Sequence, residues 1–366
     1  MSTSPTKPPP SEPAVVDDDV DRAPAIFTLP PGADPTVDWG LTSHLDGNGQ
    51  PRIIERHLLV PGELAGLRLD HFVKTQIGRL SRNKIQGIIE TQLRRIDGKV
   101  PKASTSVAAG EHYVIRRPAP QEPPCPRTFT IVHEDARVRV IDKPALLPVH
   151  ASAKFYFNTL TRVLSERYPD EPEQQIVHRL DRETSGCLVI ARDKAAAAAL
   201  KQAWEHKTHV DKQYLAVVNG TPPWTMELLL DSPLRLSQPG DPTRLPHIRM
   251  LPDPAGLAAL TKVRVERAPQ GCPYSLVRCQ LITGRQHQIR AHLAHAGFPI
   301  VGDKLYAHGD DAFIEYCDAG LTPELARLFV LPRHALHAAR VTFPHPDRGI
   351  ITAEAPLPPD LAALLA

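Results

Sequence analysis

Residues 176–189 read Ile-Val-His-Arg-Leu-Asp-Arg-Glu-Thr-Ser-Gly-Cys-Leu-Val, a polar stretch between apolar runs whose centre, Asp181, has Arg179 and Arg182 within two positions. An opposite charge nearby favours the ionised carboxylate, so an aspartate among guanidinium groups can serve at neutral pH as a nucleophile or an electrostatic anchor. A surface ion pair in a loop has the same residue pattern. The rest of the chain must decide between the two.

A second chemistry is offered by His287, His292 and His295, of which the last two would share a helix face at i, i+3. No carboxylate or cysteine stands near them at a recognised ligand spacing, so no metal is expected. The cysteines (Cys125, Cys187, Cys272, Cys279, Cys317) are odd in number, scattered and lack a Cys-x-x-Cys pair. That argues against a disulfide framework or a zinc ribbon and for reduced thiols.

These residues need elements to hold them. A chain of 366 residues, 42% apolar, suits two or three domains with real cores. It contains no uninterrupted apolar window of about 18 residues and no basic-then-apolar leader. A soluble, cytoplasmic protein is therefore expected. The net charge of +2 hides an asymmetry: residues 1–51 carry two basic and eight acidic residues, residues 52–117 thirteen basic and six acidic. A basic segment of that size is an electrostatic footprint for a polyanion, most often nucleic acid, or else a well-solvated surface.

Residues 1–51 are rich in proline, include Asp17, Asp18 and Asp19, and have little apolar periodicity; a disordered tail is expected, with Ile26, Phe27 and Trp39 able to dock on a folded domain. From Leu69, the residues Phe72, Val73, Ile77 and Leu80 recur at helical spacing. A second helix should start at Ser81, capped by its hydroxyl and stapled by Leu80 and Ile85, with Arg82, Lys84, Arg94 and Arg95 left for solvent. An Asp97-Gly98 turn and a strand from His112 complete a module over residues 52–117. Residues 118–127 hold a proline-rich linker. Residues 128–366 should form the larger domain, with strands near 130–132, 138–141, 187–190 and 215–218 and helices near 158–167, 194–207 and 286–296. Strands and helices intermix without regular alternation, so the fold class is α+β with a mixed, largely antiparallel sheet and flanking helices.

Two resemblances attach to these residues. The 52–117 module, with Leu69, Ser81-Arg82, the Asp97-Gly98-Lys99 turn and the Gly110-Glu111 entry to the last strand, resembles the S4-like RNA-binding domain, a small α+β fold. Gln92 stands where that family commonly ends its second helix with glycine. The larger domain carries Ile141-Asp142-Lys143-Pro144, then His178-Arg179-Leu180-Asp181-Arg182-Glu183-Thr184-Ser185-Gly186, then Lys212-Gln213-Tyr214, then Thr283-Gly284-Arg285-Gln286-His287-Gln288-Ile289-Arg290 and Gly302-Asp303-Lys304-Leu305-Tyr306. In that order the set resembles the RluA family of RNA pseudouridine synthases. Leu146 replaces a glycine that often follows the family's Lys-Pro.

The resemblance implies isomerisation of uridine to pseudouridine in structured RNA, without a cofactor. It makes Asp181 the catalytic aspartate, acting at C1′ or on the C2′ proton, Arg290 its partner and Tyr214 the residue that stacks on the base and assists at C5. Arg179 would fill the space of the flipped nucleotide, Ile289 would lie beneath the base, and His178 would join them in substrate binding. Arg82, Lys84, Arg94 and Arg95 would contact RNA. Large-subunit ribosomal RNA is the expected target, transfer RNA the alternative, and a monomer the expected state. A catalytically silent RNA-binding or RNA-chaperone protein on the same two domains is the competing function. Residues 238–254 read as an inserted loop, either passive or in contact with RNA.

Overall fold

The computed structural model describes residues 27, 29, 33–78, 80–152 and 154–366. The chain divides into two compact units, Met1–Arg127 with His150–Val163, and Thr128–Val149 with Leu164–Ala366. Ile26 and the Asp17–Asp19 run lie outside the described residues. Residues 33–51, within the expected tail, form turns and a Leu45–Pro51 bridge. Trp39 Nε1 donates to the Asp34 carbonyl at 2.9 Å, and the Phe27 N–H donates to Gln121 Oε1 at 3.2 Å.

In the first unit, β1 (Ile53–Leu59), α1 (Leu69–Ile77), α2 (Arg82–Thr91), β2 (Leu93–Arg95) and β3 (His112–Pro118) build an antiparallel sheet of order β1-β3-β2 under two helices. The apolar faces of the helices close on the sheet through Leu69, Phe72, Val73, Ile85, Ile89 and Tyr113, all buried. Ser81 Oγ accepts from the Lys84 N–H, as a cap must to satisfy a donor with no intrahelical partner. Gln92 ends α2 in a right-handed conformation, so no glycine is needed there. Instead the Arg94 guanidinium donates to the carbonyls of Glu90, Thr91 and Leu93. Arg95 is also engaged within the module, by Asp97 and by Glu111 at 3.2 Å. Arg82 is exposed. The span expected as a linker packs: Ala119, Glu122 and Cys125 are buried, and the Glu122 carboxylate accepts the backbone N–H groups of Tyr156, Phe157 and Asn158.

The second unit continues with β4 (Thr130–Glu134), β5 (Val138–Lys143), α3 (Leu160–Arg167, through which the division passes), β6 (Gln175–Ile176), β7 (Ser185–Ala191), α4 (Lys194–His206), β8 (Asp211–Asn219), β9 (Leu228–Leu230), β10 (Leu234–Leu236), β11 (Met250–Pro252), β12 (Thr261–Arg267), β13 (Tyr274–Leu281), α5 (Gln288–His295), α6 (Gly309–Ala319), α7 (Pro323–Phe329), β14 (Leu336–Pro344), β15 (Ile350–Glu354) and α8 (Pro359–Ala363). The main sheet runs β4-β5-β7-β14-β8-β13-β12-β9, with β15 on β14 and β6 on β7. Every pairing in it is antiparallel except β7 with β14. The fold is thus α+β with a mixed, mostly antiparallel sheet.

Strand β7 is buried at every position, as a central strand covered on both faces should be. It starts at the end of the Asp181 loop, where Gly186 has φ +111 and a Cβ would lie 2.3 Å from the Ala338 carbonyl oxygen of β14. Only glycine lets the two strands approach there. The Asp193 side chain caps α4 through the Ala196 N–H, and Ala196, Ala197 and Leu200 pack on Val140, Val189 and Phe343. In the Lys143-Pro144 turn Leu146 adopts the left-handed conformation at φ +70, which a glycine would take without strain. Lys143 Nζ, buried beneath it, donates to the carbonyls of Pro144, Leu147 and Arg182 and so ties this turn to the Asp181 loop. Among the described residues no helix is long and apolar enough to cross a membrane.

Candidate active site

Asp181 sits in the loop between β6 and β7, in a turn closed by the Thr184 N–H on its own carbonyl at 3.1 Å. Its side chain is 26% exposed. Neither flanking arginine is its partner. Arg182 turns to Glu183 Oε1 at 2.9 Å and to the Tyr316 hydroxyl at 3.3 Å, while Arg179 is exposed. The partner is Arg290, whose Nη1 donates to Asp181 Oδ2 at 3.0 Å.

Arg290 is positioned by the start of α5. The Gln288 side chain, buried, accepts from Thr283 Oγ1 and the Arg285 N–H and donates to the Leu260 carbonyl and Thr261 Oγ1, which fastens the first turn of the helix to the end of β13 and the head of β12. One turn on, His292 joins Thr261 Oγ1 and the Ser232 carbonyl, each at 2.9 Å. That makes it a structural histidine. Among the described residues no group of three or more His, Cys, Asp or Glu side chains is arranged to hold a metal.

The Nε–Nη2 edge of the Arg290 guanidinium is taken by Asp303, with Nε to Oδ2 at 2.7 Å and Nη2 to Oδ1 at 2.9 Å. This is the paired geometry that suits a planar fork to a carboxylate, and it leaves Nη1 aimed at Asp181. Asp303 is fully buried and also accepts the N–H groups of Leu305 and Tyr306. Burial works against its charge, but the Arg290 guanidinium outweighs it and holds the carboxyl below its ordinary pKa. Burial likewise opposes the Arg290 charge, and Asp303, with Asp181 behind it, raises its pKa overall. The result is a permanent cation braced on one side and presented to Asp181 on the other. Gly302, at φ +75, sets up this corner; a Cβ there would lie 2.1 Å from the Arg333 carbonyl oxygen.

Tyr214, on β8, is buried; burial and then the Asp181 carboxylate raise its pKa, so it is a neutral phenol at physiological pH. Ile289 is buried in α5. His178 is occupied inside the domain: its Nε2 accepts the Val189 N–H at 3.1 Å and its ring stacks on Trp204 at 5.3 Å. Burial and then Lys212 push it down to about 3, so it is neutral. His287 lies with Nε2 3.9 Å from Asp181 Oδ2 and is pushed down to about 4 by burial and then by Arg290.

The profile of the family described as RNA pseudouridylate synthase matches residues 137–295 of this chain. Ribosomal large subunit pseudouridine synthase D of Xanthomonas campestris pv. campestris is 33% identical over 321 residues, covering 85% of this chain and 91% of its own. This chain belongs to the RNA pseudouridine synthases. A relative from Chloroflexus aurantiacus described as an uncharacterized RNA pseudouridine synthase is 37% identical over 337 residues, covering 88% of this chain and 97% of its own. Among solved structures, human RNA pseudouridylate synthase domain containing 1 aligns with a TM-score of 0.50 and 25% identity over 65% of this chain and 88% of its own.

Asp303 and Gln288 have no separate role in a reading of the synthase sequence, although both lie inside its motifs. A single aspartate after a glycine looks like a turn residue, and nothing in local spacing announces that it grips an arginine 13 positions earlier. The Thr184-Ser185 pair ties the loop to β14 and the segment before it: Thr184 Oγ1 meets His334 Nε2 at 2.8 Å and Ser185 Oγ meets His337 Nδ1 at 2.9 Å.

Proposed function

We propose that this synthase converts uridine to pseudouridine in large-subunit ribosomal RNA, with Asp181 as the reacting carboxylate. The observation that carries the reading is the 3.0 Å contact of Asp181 with a guanidinium already braced by Asp303. Such a carboxylate is aimed without both of its oxygens being engaged, because among the described residues its Oδ1 has no hydrogen-bond partner. That oxygen can attack C1′ of the extruded nucleotide or take the C2′ proton; both begin with a carboxylate oxygen against the sugar. Arg290 orients and does not act as an acid, since a guanidinium does not give up its proton.

Tyr214 then supplies an aromatic face for the base. A phenol held neutral cannot accept the C5 proton without first losing its own, which favours stacking as its principal role. Arg179, exposed beside Asp181, suits the space vacated by the flipped uridine, and Ile289 suits the floor of the pocket. His178, engaged with Val189 and Trp204, acts as a support for the Arg179–Asp181 loop. Residues 52–117 are read as an S4-like module, with Arg82 and Lys84 as its RNA contacts, and residues 128–366 as the catalytic domain of a cytoplasmic monomer. The names of the relatives support ribosomal RNA over transfer RNA. Mapping pseudouridines in total RNA with and without the protein tests the target: a lost site in large-subunit RNA is expected, and a loss confined to transfer RNA would overturn it.

A further inference from the structure

Behind Asp181, Tyr306 is the point where several site groups meet. Its backbone N–H donates to Asp303 Oδ1, its ring faces the Arg290 guanidinium at 5.1 Å and the Arg249 guanidinium at 5.3 Å, and its hydroxyl lies 3.2 Å from His287 Nδ1. The same hydroxyl oxygen accepts the Met250 N–H at 2.9 Å. The Met250 N–H occupies one acceptor site of that oxygen, and the arrangement that links all three groups in one donor–acceptor chain has the phenolic proton on the side of His287 Nδ1. In that arrangement the neutral imidazole carries its own proton on Nε2. Nε2 is the atom that faces Asp181 Oδ2.

His287 is held there at a cost. It has φ +50, a left-handed conformation unfavourable for a side-chain-bearing residue, and it opens α5 without a side-chain cap. Its ring meets Tyr306 edge-on, at 85° between planes. The groups charged or titratable around it are Asp181, Arg290, Asp303, Tyr306, Arg179 and His334. Arg290 and His287 thus both address Oδ2 of Asp181, and Oδ1 is left without a protein partner among the described residues.

We infer that His287 is a positioning residue for the isomerisation: its Nε2–H, oriented by the Tyr306 hydroxyl and 3.9 Å from Asp181 Oδ2, adds a directed dipole to the Arg290 hydrogen bond on that oxygen, so that Oδ1 is the oxygen presented to the sugar. This rests on Asp181 being the reacting carboxylate. The role needs no proton transfer by the imidazole, only a neutral donor on the correct side. Misplacing a reacting group by about 1 Å can cost on the order of 100-fold in rate, and removal of that dipole is expected to fall within that bound.

The test uses the full-length protein, a ribosomal RNA substrate labelled with tritium at uridine C5, and the variants His287→Leu, His287→Gln and Tyr306→Phe. His287→Leu should lower kcat about 10- to 100-fold with KM and RNA affinity unchanged. His287→Gln, whose amide nitrogen falls near the Nε2 position, should recover most of that loss, and Tyr306→Phe should lower kcat several-fold. Nitrogen-15 spectra of labelled histidine, assigned by difference against His287→Gln, should show His287 protonated on Nε2 in the wild type and a mixture of tautomers in Tyr306→Phe. Wild-type kcat in His287→Leu, or an Nδ1-protonated His287, overturns the inference. Asp181→Asn run alongside keeps the two claims separate: activity retained there removes the Asp181 reading, whereas an inactive Asp181→Asn with a fully active His287→Leu removes only this one.

Discussion

Glu183 and Lys304 are joined in the interior by two contacts of 3.0 Å, one from the ammonium to each carboxylate oxygen. They run parallel to the Asp181–Arg290–Asp303 chain, since Glu183 lies two residues after Asp181 and Lys304 directly follows Asp303. Two charged bridges therefore clamp the Asp181 loop to one corner. The first is partly open to solvent; the second is closed, with Lys304 Nζ also on the Pro332 carbonyl and Glu183 also accepting the His334 N–H.

Removing Lys304 takes one of the two cations from Glu183 and leaves Arg182, at 2.9 Å from Oε1, as the other. Lys304→Met should cost about 1.5–3 kcal/mol of stability, the loss of charged hydrogen bonds to a carboxylate that keeps one counter-ion. Urea unfolding measures this directly. A decrease below about 1 kcal/mol would show that the loop is held by other interactions.

Stability should fall as the pH drops below neutrality. His178, His287 and His337 are depressed to about 3, about 4 and about 4, each chiefly by burial. In the unfolded chain a histidine titrates near 6.5, so between roughly pH 6.5 and pH 4 the unfolded state binds more protons. Each buried histidine thus contributes stability that is complete above about pH 6.5 and is lost on acidification, by up to about 1.4 kcal/mol per pH unit. His337→Gln should flatten the slope of unfolding free energy against pH by about that amount. An unchanged slope would mean that His337, bonded to Ser185 Oγ and the Ala355 carbonyl, takes up its proton in the fold as readily as in the unfolded chain.

Four basic residues of the small module, Arg82, Lys84, Arg94 and Arg95, should separate into two pairs. Alanine at Arg82 and Lys84 should weaken RNA binding and lower the slope of log affinity against log salt by about 0.7–0.9 for each phosphate that is no longer neutralised. Alanine at Arg94 or Arg95 should instead lower the module's stability, since Arg94 satisfies the end of α2 and Arg95 is shared by Asp97 and Glu111. Equal effects of all four on the salt slope would contradict this division.

That division also marks how far the sequence alone reaches. Periodicity finds α1, α2 and α4, and the capping roles of Ser81 and its neighbours follow from local chemistry. Arg94 and Arg95 look solvent-directed until the carbonyls of α2 and the carboxylate of Glu111, 16 residues on, come within reach. At the site, Asp181 and Arg290 are legible through their motifs. Their contact spans 109 residues and could not come from spacing. The Asp303 fork and the contact of His287 with Tyr306 are not legible, because one is a buried pairing and the other links α5 to a hydroxyl that also takes the N–H of Met250 in a separate hairpin.

The central claim is that Asp181 does the chemistry, and release of tritium from uridine labelled at C5 in ribosomal RNA measures it most directly. Asp181→Asn preserves shape and the ability to accept from Arg290 but removes the charge. The account predicts that this variant binds RNA with near wild-type affinity and releases no tritium above background. Release at the wild-type rate would contradict it.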